Sequence, residues 1–97
     1  MTYKISSDSY IYSFSKDNQP VLSVKSGDEV EFETMDCFSN QIQTPEDKLE
    51  FLDWDRINPA TGPIYVGGAE PGDILKVTIK KIEIGDKGVV ATGKDLG

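Results

Sequence analysis

The segment Ser26-Gly27-Asp28-Glu29-Val30-Glu31-Phe32-Glu33-Thr34 restricts the fold more than any other part of this chain. After a Ser-Gly-Asp turn, apolar and charged residues alternate with a period of two. Val30 and Phe32 then lie on the inner side of an extended strand, with three glutamates on the outer side. Glycine permits the left-handed backbone of a tight turn, and the following aspartate bonds nearby backbone. The arrangement returns at Pro71-Gly72-Asp73-Ile74-Leu75-Lys76-Val77-Thr78-Ile79, with Leu75, Val77 and Ile79 inward. Ile82 and Ile84 continue with the opposite parity, so a bulge or bend is expected near Lys80.

Shorter stretches read the same way. Residues 9–15 place Tyr10, Tyr12 and Phe14 on one face. Val21-Leu22-Ser23-Val24 and Ile64-Tyr65-Val66 are short strands between turns, and Gly88-Val89-Val90-Ala91-Thr92 reads as one more beginning. One or two helical turns are expected over residues 43–50, with Thr44 as the N-cap, Pro45 in the first turn and Asp47 three after the cap. The predicted class is all-β: an antiparallel sandwich or barrel-like module with a long functional loop and at most one short helix.

At 97 residues the chain is a single domain or part of one, with room for only a modest core. The net charge of −7, with no basic run, argues against nucleic-acid and anionic-membrane partners. Its plainest reading is solubility. One cysteine, Cys37, excludes an internal disulfide. The N-terminus lacks a basic–apolar–small leader pattern, and no apolar run spans a bilayer, so a cytoplasmic location is expected. Histidine is absent. Ser-His-Asp and Cys-His devices and histidine zinc sites are therefore excluded from this chain alone. A hydrolytic site must use carboxylates or be completed by another polypeptide.

Between the strands run Asp36-Cys37-Phe38-Ser39-Asn40-Gln41-Ile42 and a continuation from Leu52 to Val66. A loop of that length in a small domain is functional or disordered, and Phe51, Trp54 and Ile57 argue for order. Asp36 follows the glutamate-bearing strand and reads either as a turn cap or as a site residue. Asn40 and Gln41 carry amides that donate and accept, which suits a small amide ligand, although loop hydrogen bonding would use the same groups. Asn58 precedes Pro59, a turn-forming pair, or faces the same pocket. Cys37 has no histidine base to activate it and reads as a buried or half-buried small residue. Trp54 reads as an apolar anchor for the loop. Asp53 and Asp55 read as a solvated pair or as partners of Arg56, since they lack the ligand spacing of a calcium loop.

Several motifs in one order carry a resemblance. They are Tyr12-Ser13-Phe14-Ser15-Lys16-Asp17-Asn18, Val24-Lys25-Ser26-Gly27-Asp28, the 36–42 stretch, Asp55-Arg56-Ile57-Asn58-Pro59-Ala60-Thr61-Gly62-Pro63-Ile64, and Gly68-Ala69-Glu70-Pro71-Gly72-Asp73. Residues 10 to about 92 resemble the N-terminal part of the acetamidase/formamidase family. The resemblance implies hydrolysis of short amides to a carboxylate and ammonia in a metal-dependent site on a β-rich fold. The ion is expected to be divalent: zinc, with calcium as the alternative. Asp36 is the expected catalytic and metal-binding residue, and Asn40, Gln41 and Asn58 are the expected substrate-binding residues.

The family's histidine- and glutamate-bearing motif lies in a later part and has no counterpart here. Residues 1–97 are accordingly expected to be an incomplete N-terminal β module, a view to which the ending Gly93-Lys94-Asp95-Leu96-Gly97 contributes. The expected partners are the C-terminal remainder or a second polypeptide, a small amide substrate, and further copies in a homo-oligomer. The competing expectation is a β module that binds or oligomerises but hydrolyses nothing by itself.

Overall fold

The alternating segments form strands where a second segment lies alongside, and among the described residues three such pairs form. The computed structural model describes residues 2–93. Its strands are β1 (Thr2–Ile5), β2 (Tyr10–Ile11), β3 (Leu22–Lys25), β4 (Glu29–Phe32), β5 (Ala60–Thr61) and β6 (Ile64–Gly67). β1 pairs with β4, β2 with β5 and β3 with β6. No α-helix occurs among the described residues, so the chain is all-β in class.

The pairing differs from the antiparallel expectation. β1 and β4 run parallel in the register Thr2–Glu29 to Ile5–Phe32, and β3 and β6 run parallel from Leu22–Ile64 to Lys25–Gly67. Only β2 and β5 are antiparallel, through Tyr10–Thr61 and Ile11–Ala60. Parallel neighbours need a long crossover, and here the turns at Gly27 and Gly62 lead into strands whose partners lie far away in sequence.

Both expected Gly-Asp turns form, and in the same way. Gly27 has φ +90° and Gly72 has φ +96°, which a side chain would strain. Asp28 Oδ2 accepts the Lys25 N–H at 2.9 Å, and Asp73 Oδ2 accepts the Glu70 N–H at 2.9 Å. The strand that follows forms only after the first turn. Residues 74–84 pair with no other segment among those described, nor do residues 88–92, so neither expected strand is present. A bulge near Lys80 therefore has no ladder in which to occur.

The expected 9–15 strand is cut to Tyr10–Ile11, because β5 offers only two residues to pair with. The expected helix over 43–50 is absent. Asp47 Oδ2 accepts the N–H groups of Gln43 and Thr44 at 2.9 and 3.1 Å, while the Asp47 N–H returns to the Thr44 carbonyl. That closes a turn whose bonds run from Asp47 backwards, so Thr44 is not a cap. Two single 3-10 turns follow instead, Leu49–Phe51 and Trp54–Arg56.

The buried apolar side chains among the described residues are Ile5 on β1 and Val24 on β3. Phe32, expected inside, is 44% exposed, because nothing covers the inner face of β4 at its end. The radius of gyration is 16.3 Å, where a compact domain of this length has about 12.5 Å. The accessible surface is 8238 Å², against roughly 5,500 Å² for a compact protein of this mass. Much apolar surface that a closed domain would bury is therefore open. The closing residues 94–97, counted in sequence as a sign of incompleteness, lie outside the described residues. No helix among the described residues is long and apolar enough to cross a membrane.

Candidate functional site

The 36–42 segment begins four residues past the end of β4 and folds back on itself within a few residues. Asp36 Oδ1 accepts the N–H groups of Phe38 and Asn40, both at 2.9 Å, and Asn40 Oδ1 accepts the Asp36 N–H at 3.3 Å. The Ser39 N–H donates to the Asp36 carbonyl and the Gln41 N–H to the Phe38 carbonyl. Such a reversal needs left-handed backbone, and Ser39 and Asn40 adopt φ +53° and +59°. Asparagine tolerates this region; serine enters it at a cost of about 1–3 kcal/mol. Ser39 is held there by burial, being 5% exposed, and by its hydroxyl, which donates to the Arg56 carbonyl.

A second turn, around residues 53–58, is stitched onto the first. The Gln41 amide clamps Asp53: Nε2 donates to the Asp53 carbonyl at 3.1 Å, and Oε1 accepts the Asp53 N–H at 2.8 Å. The Asn58 N–H donates to the Cys37 carbonyl at 2.7 Å, with Asn58 itself at φ +59°. The Asp53 side chain caps the 3-10 turn by accepting the Asp55 N–H. The Tyr12 hydroxyl shares a 3.4 Å hydrogen bond with Ser39 Oγ, which ties the segment after β2 to the same centre.

The four expected site residues thus meet in one pair of stitched turns. Asp36 spends Oδ1 on the turn, and Oδ2 makes no hydrogen bond among the described residues. Gln41 has one of its two N–H donors left after the clamp on Asp53. Asn40 keeps its side-chain NH₂ and Asn58 its whole side-chain amide. Beside them, Lys87 Nζ donates to the carbonyl and to Oε1 of Gln43 at 2.8 and 3.0 Å. There Ile42, Gln43, Pro45, Lys87 and Val89 line an open depression of about 230 Å³.

Two expectations about this loop are corrected. Cys37 is exposed, since its neighbours turn inward through Ser39 and leave its own side chain outside. Trp54 is 53% exposed, its indole N–H donating to the Leu49 carbonyl at 3.0 Å. The ring braces the two 3-10 turns against each other from outside and does not fill a core. Ser39 and the Gln41–Asp53 clamp were not singled out in the sequence. The only local signal was a serine beside an asparagine in a turn-rich stretch.

Around the loop, carboxylates are held ionised by neighbouring donors. The Gln43 N–H, then that of Thr44, keeps Asp47 below the ordinary 3.8. The Ser7 hydroxyl and N–H keep Glu33 below 4.5, and Lys80 does the same for Glu29. No group of three or more His, Cys, Asp or Glu side chains lies together among the described residues.

These features define a β-rich module that presents a polar double turn, with one carboxylate oxygen left over, on an otherwise open fold. The model of the Acetamidase/Formamidase family matches residues 7–92, and the chain belongs to that family. A formamidase of Methylophilus methylotrophus is 39% identical over 61 residues, covering 61% of this chain and 15% of its own. The crystal structure of a predicted acetamidase/formamidase from the thermophile Thermoanaerobacter tengcongensis is 67% identical. It matches 97% of this chain and 31% of its own with a TM-score of 0.92. An acetamidase of Bacillus halodurans is 50% identical over 72% of this chain and 24% of its own, with a TM-score of 0.71. The chain therefore spans less than a third of the length of each of these relatives.

Proposed function

We infer that this chain supplies the N-terminal wall of an amidohydrolase site that cleaves short aliphatic amides, formamide and acetamide, to carboxylate and ammonia. Family membership and the names of the relatives support the reaction class. The observation that carries the assignment to this loop is the divided carboxylate of Asp36: Oδ1 pins the turn, and Oδ2 is left over. A carboxylate whose backbone bonds fix its direction is a preorganised base or ligand.

A single carboxylate oxygen fits one position of a divalent site and no more, since a catalytic zinc takes three protein ligands. Asp36 would hold the ion, zinc or calcium, together with donors from a second polypeptide that forms the C-terminal remainder. A bound ion supplies an acidified water and polarises the amide carbonyl. Asn58 would orient the substrate through its side-chain amide, Asn40 through its NH₂ and Gln41 through its remaining N–H. Residues 1–97 act as one incomplete module, in a cytoplasmic homo-oligomer.

The test is ammonia release from formamide and acetamide, by the 97-residue chain alone and with the remainder supplied. The chain alone is expected to be inactive and the assembly active. Silence in both, with or without added zinc, rejects the amidase reading. In the active assembly, Asp36→Ala is expected to lower the rate about 10²–10⁴-fold. Asp36→Asn, which keeps an oxygen for the turn, separates loss of chemistry from loss of the loop.

The second reading, a β module without activity of its own, is favoured for the isolated chain by the large apolar surface left open.

A further inference from the structure

We propose that Tyr12 is a positioning residue for the amidase reaction: its hydroxyl, acting through Ser39 and Asn40, sets the direction in which Asp36 presents Oδ2. Tyr12 lies one residue past β2, and its hydroxyl stands 3.4 Å from Ser39 Oγ. A serine hydroxyl has one proton to give and two lone pairs with which to accept. Ser39 gives its proton to the Arg56 carbonyl, so the Tyr12 hydroxyl is the donor in the contact between them. The order of protons is therefore fixed, from Tyr12 to Ser39 to the Arg56 carbonyl.

Ser39 is the point at which such a bond has leverage. It is 5% exposed, and its backbone is left-handed at φ +53°. Serine stays in that region only when its surroundings hold it. The Ser39 N–H donates to the Asp36 carbonyl, and the next N–H, that of Asn40, donates to Asp36 Oδ1 at 2.9 Å. Release of Ser39 from its positive φ swings the Asn40 N–H away from Oδ1. The Phe38 N–H, also at 2.9 Å, then holds the carboxylate alone. Two donors on one oxygen set the direction of the other; one donor leaves the group free to turn about its side-chain torsions.

Tyr12 is anchored from outside the double turn. β2 pairs with β5 through Tyr10–Thr61 and Ile11–Ala60, and the Gly62 N–H donates to the Ser9 carbonyl at 3.0 Å. The rings of Tyr10 and Tyr12 meet edge to face, with centroids 5.3 Å apart. Thr61 Oγ1 donates to the Glu33 carbonyl at 2.8 Å, on the stretch between β4 and Asp36. The phenol thus reaches Ser39 from a paired strand that is itself fixed to the approach to the loop. This role rests on reading Asp36 as the reacting carboxylate, and the experiment separates the two.

Tyr12→Phe, Asp36→Asn and the double variant are compared with the parent in the active assembly, on formamide, well below the unfolding temperature. Tyr12→Phe is expected to lower kcat about tenfold with KM within about twofold of the parent. In the Asp36→Asn background the same change is expected to cost less than about twofold, because the group it positions is gone. Tyr65→Phe, which removes a phenol oxygen from β6, is expected to match the parent. In the 97-residue chain alone, hydrogen exchange of the Asn40 amide is expected to quicken about fivefold or more in Tyr12→Phe, with the β3–β6 amides unchanged.

A parent-like kcat for Tyr12→Phe overturns the proposal, as does an Asn40 amide that exchanges as in the parent. A raised KM with kcat unchanged overturns it by making Tyr12 a substrate contact. A full tenfold loss in the Asp36→Asn background overturns it by showing that Tyr12 acts without Asp36. A parent that releases no ammonia rejects the amidase reading and this role together, whereas an active parent with any of the other outcomes rejects the role of Tyr12 alone.

Discussion

Two segments of this chain begin identically and end differently. Ser26-Gly27-Asp28 and Pro71-Gly72-Asp73 both turn through a left-handed glycine, and both close with an aspartate oxygen 2.9 Å from a backbone N–H three residues back. Both lead into alternating apolar residues. The first becomes β4, because β1 lies beside it; the second remains an unpaired extended segment. Turn chemistry and alternation prepare a strand, and a neighbour makes it one. A lone extended segment gains no ladder bonds to offset the entropy of ordering it.

The largest test of that contrast compares Ile5→Ala with Ile79→Ala. Ile5 is buried and pairs with Phe32 across β1 and β4. Its truncation is expected to cost about 2–5 kcal/mol in urea unfolding. Ile79 is exposed, and its truncation in the chain alone is expected to stay within about 0.5 kcal/mol. Similar losses at both positions would erase the distinction between the two segments.

The double turn at 36–58 is a third case, closed by side chains where no neighbouring strand exists. Ser39→Ala removes the hydroxyl that donates to the Arg56 carbonyl. The expected loss is about 1–3 kcal/mol, read by thermal unfolding. Ser39→Gly is expected to recover part of it by relieving the positive φ. An unchanged melting curve for Ser39→Ala would mean that Gln41 and Asn58 hold the two turns together unaided.

The smallest effect concerns the tether between the two segments. Lys80 holds Glu29 below its ordinary 4.5. A carboxylate with a depressed folded value favours the folded state above its unfolded pKa. That contribution fades as the pH falls through the lower folded value. NMR titration of Glu29 is expected to show the depression, and Lys80→Ala to return it towards 4.5 with little change in overall stability. A Glu29 that titrates normally in the parent chain would detach the 74–84 segment from β4.

The same contrast explains what could be read from the sequence. β3, β4 and β6 and both Gly-Asp turns were legible, since period-two alternation and turn residues are local signals. The motif order also led to the family. Parallel pairing was not legible, because Thr2 and Glu29, or Leu22 and Ile64, carry no mark of each other. β1 and β5 passed unnoticed, β5 being only Ala60–Thr61. Burial was misjudged at Phe32, Cys37 and Trp54 because it depends on surfaces that other segments must bring. In the candidate site, Asp36, Asn40, Gln41 and Asn58 were named from side-chain chemistry and motif position. Asp47 showed how one carboxylate, bonding backwards to Gln43 and Thr44, turns a plausible helix start into a closed turn.

The parallel pairs also fix an order of events during synthesis. β1 and β4 both lie within the first 32 residues, so this pair has both members as soon as Phe32 is outside the ribosome. β3 must wait for β6, which emerges only after the whole double turn has been made. The stitched turns therefore have time to close on their own side chains before the second crossover locks their far end. Nascent chains in which residues up to about 45 have cleared the ribosome would carry a protease-resistant β1–β4 pair beside a still-cleavable β3. Chains in which Gly67 has also cleared the ribosome would protect both.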